Sequence, residues 1–193
     1  MPNPYPDGLP DYARVLAASV RKMLKIKGGI ELSREPVMRE KEIVSFRRHI
    51  RVDALEKFNA RAVFSVIKFY SDVAAMEADT PVGALIFFIE AEYVAKLLWH
   101  LEYPRIDEDD DAAILDGCGT LTNLVAGYFV KDLNDLGCVH LQMSYFDSYF
   151  NTVLDGVAFA PDQTRKYEIN FSISGEKRLV AELSMSRIPR AAN

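Results

Sequence analysis

The sequence predicts an α+β fold: a single domain with one antiparallel sheet and helices packed on one face of it. Helical periodicity marks the first part and the middle of the chain, whereas strand-like alternation precedes and follows the middle helices. The 193 residues, 49% of them hydrophobic and 26% charged, suffice for one domain with a full core. No linker or internal repeat divides them.

The N-terminal part of the chain predicts a leader followed by a helix. Residues 1–10 contain four prolines and form a disordered or loosely docked leader, and the domain covers residues 11–193. Asp11 is placed to cap an amphipathic helix that runs to about residue 27. The helix ends at the Gly28-Gly29 pair. The charged stretch 31–42 is typical of a loop or an irregular sheet edge.

The strands are predicted from alternating or continuous apolar residues. Residues 42–53 alternate, with Arg48 interrupting the apolar side, which favours one edge or bulged strand. Further strands are predicted at 60–71, 82–90 and 138–146, followed by a C-terminal hairpin of 166–174 and 178–186. The strand at 82–90 is apolar on both sides and is therefore predicted to be central. The segment 151–156 is typical of a turn.

Two further helices are predicted between the central strand and the later strands. One covers residues 91–103, and a long one covers about 110–136 and ends at Gly137. The acidic run 107–111 before the long helix has two interpretations, a solvated helix start or a metal site. It lacks the glycine and the terminal glutamate of a calcium loop.

Composition excludes several classes of function. The net charge of −5 and the lack of Lys/Arg runs among aromatic residues argue against nucleic-acid binding. No apolar stretch approaches the ~20 residues of a membrane span, and the polar start does not resemble a signal peptide. Cys118 and Cys138 form no CxxC pair, so neither a disulfide framework nor a zinc site is predicted. A cytoplasmic location is expected.

The long helix contains an unusual segment, LDGCGTLTNLVAG, at residues 115–127. Its three glycines each cost about 1 kcal/mol relative to alanine in a helix. On a helical wheel, Asp116, Thr120, Asn123 and Gly127 lie in one narrow stripe, opposite a row of apolar residues. This arrangement predicts a helix that buries one face and presents a short polar row on the other.

Two interpretations of the segment remain open from the residues alone. In the first, the glycines allow close packing within the protein, and the polar residues are only solvated. In the second, the stripe is a docking face, where Gly119 and Gly127 admit the backbone of a partner and the polar side chains reach a reactive group.

The pattern D-x-x-x-T-x-x-N-x-x-x-G, within LTNLVAGYFVKDLNDLG, resembles the signature helix of the CheC/CheX/FliY chemotaxis phosphatases, and CheX most. The family pattern is Asp or Ser, then Glu four residues later, then Asn three residues later, commonly followed by Ala-Gly. Asp116, Asn123 and Ala126-Gly127 match, whereas Thr120 stands at the glutamate position. The order of the flanking elements extends the resemblance over about residues 11–187.

The resemblance implies a protein that removes the phosphoryl group from the aspartate of a phosphorylated CheY-like response regulator. In such proteins the regulator carries the Mg²⁺, so no cofactor belongs to the phosphatase itself. Asn123 would orient the attacking water. The family glutamate pairs with a lysine of the regulator, so Thr120 would weaken activity, and Asp116, one turn earlier, has a shorter reach than that glutamate. The resemblance also implies a homodimer.

Two other functions stay open. The chain could be a non-catalytic adaptor that binds a receiver domain or a flagellar or chemotaxis partner through the same helix. It could also be a structural homo-oligomer like the flagellar-switch proteins. The cluster Tyr145, Phe146, Tyr149 and Phe150 is interpreted either as core or as a dimer or partner surface.

Overall fold

The computed structural model describes residues 6–46, 49–158 and 163–191. Within them are four helices, α1 (Leu9–Gly28), α2 (Val73–Glu77), α3 (Ala91–His100) and α4 (Asp111–Asp135). The strands in chain order are β1 (Val37–Glu42), β2 (Ser45–Phe46), β3 (His49–Asp53), β4 (Ala62–Tyr70), β5 (Gly83–Glu90), β6 (Gln142–Met143), β7 (Asp147–Phe150), β8 (Val153–Ala158), β9 (Arg165–Ile173) and β10 (Glu176–Met185).

The main sheet has seven strands in the order β1-β9-β10-β5-β4-β6, and β7 also pairs with β4. Every pairing in it is antiparallel. The central position predicted for residues 82–90 is confirmed, because β5 lies between β10 and β4. Core residues also cover β5 on both faces of the sheet, which explains why it is apolar along nearly its whole length.

Helices α1, α3 and α4 cover one face of this sheet and form the larger part of the core. Its fully buried side chains include Tyr12 and Leu16 of α1, Phe129 of α4, and Phe69 and Phe87 of the sheet. Phe69 and Phe129 meet edge to face, with 5.6 Å between ring centroids. The predicted α+β class, with an antiparallel sheet and helices on one face, is confirmed.

The opposite face carries a second sheet that the sequence did not indicate. Strands β2, β3 and β8 pair in that order, and their apolar side packs over β4 and β5. Phe64 and Phe88 lie between the two sheets, together with Val52, Val157 and Val180. Aromatic residues of β4 and β5 are therefore buried on both faces of the main sheet, Phe69 and Phe87 on the helix side and Phe64 and Phe88 on the side of the second sheet.

A buried ion-pair network joins the second sheet region to β9 and β10. Lys57 Nζ lies 2.7 Å from Glu168 Oε2 and 2.5 Å from Glu182 Oε1. Lys41 Nζ is 2.6 Å from Glu168, and Lys166 Nζ is 2.6 Å from Glu182. Burial disfavours ionisation of Glu168, but the hydrogen bonds from Lys41 and Lys57 outweigh it and lower its pKa to about 2.

Several element boundaries differ from the predictions. The helix predicted at 11–27 begins at Leu9, because the Gly8 carbonyl accepts from the amides of Asp11 and Tyr12 at 3.0 Å. Asp11 is therefore a first-turn residue, and its carboxylate accepts from the Asp7 amide. Of the predicted leader, residues 1–5 lie outside the described residues. Of the stretch 31–42, residues 37–42 form the exposed edge strand β1.

The single strand predicted at 42–53 is wrong. The segment contains β2 and β3, which pair with each other, and Arg48 lies outside the described residues. Two short strands continue the same alternation of apolar and polar residues, so the pattern alone does not show that the segment holds two strands.

The strand predicted at 138–146 and the turn predicted at 151–156 are also wrong for most of their length. Within 138–146, the strand that pairs with β4 covers residues 142–143, and Cys138 forms an isolated bridge with Arg190. The turn is confined to the region of Asn151, at φ 28°, after which β8 pairs with β3. Asparagine tolerates this left-handed conformation better than most residues.

Candidate functional site

The candidate site lies on α4, whose N-terminus is fixed by acidic residues. Asp110 caps the helix, its carboxylate accepting from the amides of Ala112 at 2.9 Å and Ala113 at 3.3 Å. Asp111 forms a two-point pair with Arg61, at 2.9 and 2.7 Å. The interpretation of 107–111 as a helix start is confirmed. No group of three or more His, Cys, Asp or Glu in the described part of the chain is arranged to hold a metal ion.

The inner face of α4 is part of the core. Ile114, Cys118, Leu121, Val125 and Phe129 are at most 3% exposed. This row supplies the packing energy that holds the helix against the sheet despite its glycines. Burial raises the pKa of the Cys118 thiol to about 12, so that thiol is a small core group and not a nucleophile.

The outer face presents the predicted polar row. Asp116 and Asn123 are exposed and Thr120 is half-buried. Within the ranges that the structure describes, none of these three side chains has a hydrogen-bond or ion-pair partner. The carboxamide of Asn123 therefore keeps its two donors and its acceptor oxygen for solvent or a bound molecule.

The glycines of α4 have different surroundings. A Cβ at Gly117 would lie 2.8 Å from Leu98 and 3.0 Å from Val94, so this glycine lets α3 approach. A Cβ at Gly119 would overlap the Phe146 ring, lying 2.6 Å from its Cζ and closer to two other ring carbons. A Cβ at Gly127 would meet nothing within 4 Å.

This difference corrects one predicted site residue. Gly119 is buried and admits the chain's own Phe146, so it is not available to a partner. Packing within the protein explains Gly117 and Gly119. It does not explain Gly127, which leaves an open gap on the same stripe as Asn123.

Asn123 also borders a surface groove of about 340 Å³. The other residues that line it are Met76 of α2, Met143 of β6, and Ser144, Tyr145 and Phe146 of the segment between β6 and β7. The site thus combines an exposed amide with a mostly apolar groove. Helix α2 was not predicted, although Asp72 caps it by accepting from the Ala75 amide at 2.8 Å.

The aromatic cluster at 145–150 divides between core and surface. Phe146 packs on Gly119, and Tyr149 stacks on Phe64 with 5.3 Å between centroids. Phe150 lies under Arg61, whose guanidinium carbon is 3.7 Å from the ring centroid. Tyr145 alone points outward, at 92% exposure. The sequence pattern did not distinguish it from its neighbours.

Comparison with solved structures finds the same fold in chemotaxis proteins. CheX from Vibrio vulnificus matches with a TM-score of 0.58 at 14% identity, covering 91% of this chain and 99% of that one. FliY from Thermotoga maritima matches at 0.57 and 14% identity, over 91% and 86%. The CheX–CheY–BeF3–Mg²⁺ complex from Borrelia burgdorferi matches at 0.51 and 14% identity, over 93% and 98%.

No protein-family profile matches the chain, and no curated protein matches it either. At 14% identity, the structural matches establish the fold, and at that level the predicted resemblance to CheC, CheX and FliY is confirmed. Among the described residues, α4 is long and apolar enough to cross a membrane by length and composition alone, but 56% of its apolar window is buried inside the protein. Its apolar side is instead part of the domain core.

Proposed function

We propose that this chain, which has the fold of the CheC, CheX and FliY chemotaxis proteins, binds a CheY-type receiver domain and hydrolyses its aspartyl phosphate. The observation that carries the proposal is the exposed, unpartnered carboxamide of Asn123, one turn from the gap at Gly127. A fold match that contains a bound CheY supports this choice of partner class.

The chemistry assigned to Asn123 is the positioning of water. A carboxamide accepts a hydrogen bond through its oxygen and donates through its nitrogen, so it can hold one water in a fixed orientation. In phosphoryl transfer, alignment of the attacking oxygen with phosphorus provides much of the rate enhancement. Because the Asn123 side chain is hydrogen-bonded to no other described side chain, it can bind this water without first breaking a hydrogen bond within the protein.

The gap at Gly127 is the place where the backbone of the receiver would contact α4. A side chain at this position would hold the partner's backbone away from the helix, whereas glycine leaves the surface open. Asn123 and Gly127 are four residues apart and therefore lie on the same side of the helix. The partner that enters the gap is thus brought next to the amide.

Thr120 departs from the residue that the proposed chemistry calls for. A neutral hydroxyl on a short, half-buried side chain replaces a carboxylate that would pair with a lysine of the receiver. The loss of such a charge-assisted contact is expected to cost about 1–3 kcal/mol, or about ten- to a hundredfold in affinity or rate. Asp116 is exposed but one turn further away and shorter, so it compensates little.

This substitution favours a second candidate function. A chain that docks a receiver without completing the catalytic pair would act as a non-catalytic adaptor. The same exposed helix face serves both functions, and only the chemistry at Thr120 and Asn123 separates them.

The remaining expectations belong to the same proposal. The receiver supplies the acyl phosphate and the Mg²⁺, and this chain needs no cofactor of its own. The protein acts in the cytoplasm as a homodimer, for which the outer edge of β1, with Val37 and Met38 39% and 37% exposed, is a candidate contact. The molar mass measured by light scattering tests the dimer.

The direct test is to mix the protein with phosphorylated CheY-type regulators from its own genome and to follow the loss of phosphate. Acceleration over the intrinsic rate is the result expected for a phosphatase. Binding without acceleration supports the adaptor, and the absence of binding to every such regulator contradicts both functions.

A further inference from the structure

Tyr145 is exposed although the segment that carries it is held firmly. The amide of Ser144 donates to the Lys68 carbonyl at 2.9 Å, and the Lys68 amide donates to the Ser144 hydroxyl at 2.9 Å. The preceding residue, Met143, pairs with Phe69 in the sheet. The tyrosine therefore projects from an ordered backbone, and its 92% exposure is not a consequence of a loose loop.

The next residue reinforces this placement. The Phe146 ring is seated against the backbone of α4 at Gly119, in space that any side chain at that position would fill. With Met143 and Phe146 both anchored, Tyr145 is set at the rim of the groove that Asn123 borders. The glycine that weakens α4 at position 119 thus fixes an aromatic side chain beside the candidate catalytic amide.

The other side of the groove is also anchored. Met76 belongs to α2, which is followed by Asp79. The Asp79 carboxylate accepts from Lys68 Nζ at 2.5 Å and from the Tyr70 hydroxyl at 2.8 Å. Met76 is 38% exposed and Val73, on the same short helix, is 58% exposed. Met76 thus adds a partly exposed apolar side chain to the groove, on a segment tied to the sheet through Asp79.

Two exposed carboxylates lie close in the chain to residues that line this groove. Glu77 follows Met76, and Asp116 lies two turns before Asn123 on the same stripe of α4. Neither pairs with a Lys or Arg side chain that the structure describes. Lys68, the cation of this region, is already paired with Asp79. The surface is complementary to a partner that presents an apolar centre among Lys or Arg side chains.

We infer that Tyr145 and this groove form the docking surface for the receiver domain, and that Tyr145 is the side chain whose burial holds the complex together. The inference rests on the proposed function and extends it, because it places the main contact outside the motif helix. Aromatic side chains on rigid segments are typical of residues that dominate binding energy. Basic side chains around an apolar patch on the receiver would meet Glu77 and Asp116.

The test is the affinity for a CheY-type receiver domain from the same genome, held in its active form by BeF3⁻ and Mg²⁺. Tyr145→Ala is expected to raise the Kd by about thirtyfold, as for a central interface residue. Tyr145→Phe keeps the apolar ring and is expected to stay within about threefold. Ile26→Ala removes an apolar side chain that is 66% exposed on α1 and serves as the control, with unchanged affinity.

The outcomes separate this inference from the proposed function. If Tyr145→Ala binds as tightly as the wild type, the inference is wrong while the function stands. If the wild type binds no receiver, both are wrong. If Tyr145→Ala instead converts a dimer to a monomer and leaves receiver affinity unchanged, the groove binds a second copy of the chain, which also overturns the inference.

The acidic residues beside the groove have a separate readout. Glu77→Lys is expected to slow association with the same receiver at least threefold at low salt, with a smaller effect at high salt, because exposed charges steer encounter. An unchanged association rate at low salt would overturn the assignment of a basic partner surface.

Discussion

Replacement of Gly127 by alanine separates stability from binding on α4. Gly127 is a helical residue, and a Cβ there meets nothing within 4 Å. The added methyl group therefore causes no overlap, and the helix gains about 1 kcal/mol in propensity. For a chain of this length, the expected rise in melting temperature is about 2–4 °C.

The measurement is thermal unfolding followed by circular dichroism, with Gly119→Ala as the matched control on the same helix. At Gly119 the same methyl group overlaps the Phe146 ring, and overpacking of this kind costs about 1–3 kcal/mol. Gly119→Ala is therefore expected to melt at or below the wild-type temperature. A fall in melting temperature for Gly127→Ala would refute the open gap at that position.

The functional part of this prediction runs in the opposite direction. Although Gly127→Ala is more stable, its methyl group occupies the space assigned to the receiver's backbone. We expect its affinity for the activated receiver to fall by about tenfold, or about 1.4 kcal/mol. Affinity equal to the wild type in the stabilised variant would show that the partner does not use the gap.

Three further predictions concern the site and the buried charges. Thr120→Glu is expected to accelerate receiver dephosphorylation by about tenfold, and no change after confirmed binding would contradict the alignment with CheX. Lys57→Met leaves Glu168 and Glu182 with one lysine each and is expected to lower the free energy of unfolding, measured in urea, by about 3 kcal/mol. The control is Lys131→Met, which removes an exposed ion pair with Asp135 and is expected to change that free energy by less than about 1 kcal/mol. The pKa of Glu168 is about 2 in the folded protein, below its unfolded value. The ionised Glu168 therefore stabilises the fold fully above about pH 4.5, and this contribution is lost as the pH falls toward 2. The free energy of unfolding of Glu168→Gln, measured across this range, should lack that part of the pH dependence.

The long, strongly periodic elements were predictable from the sequence. Helices α1, α3 and α4 and the terminal hairpin of β9 and β10 each carry the periodicity of their type of element, and the central strand β5 is a short, continuous apolar run. The second sheet was not predictable, since β2, β3 and β8 are short and their pairing joins segments about a hundred residues apart. Nothing in the local pattern of residues 45–53 indicates that partner.

The site was predictable in part. The wheel correctly separated the exposed row of Asp116 and Asn123 from the buried row of α4. It did not distinguish Gly119 from Gly127, because what fills the space next to a glycine depends on distant residues such as Phe146. The groove was not predictable either, because α2 and the segment at Tyr145 meet Asn123 only through the pairing of β4 with β6.

The central claim is that the carboxamide of Asn123 acts on the phosphorylated receiver. The most direct test is the dephosphorylation rate of a CheY-type regulator at saturating protein, compared between wild type, Asn123→Ala and Asn134→Ala. Asn134 is an exposed amide eleven residues further along α4, about 16 Å away on nearly the same side of the helix. We expect Asn123→Ala to lose about a hundredfold of the acceleration with unchanged affinity, and Asn134→Ala to retain it. Equal acceleration by the wild type and Asn123→Ala would contradict the claim.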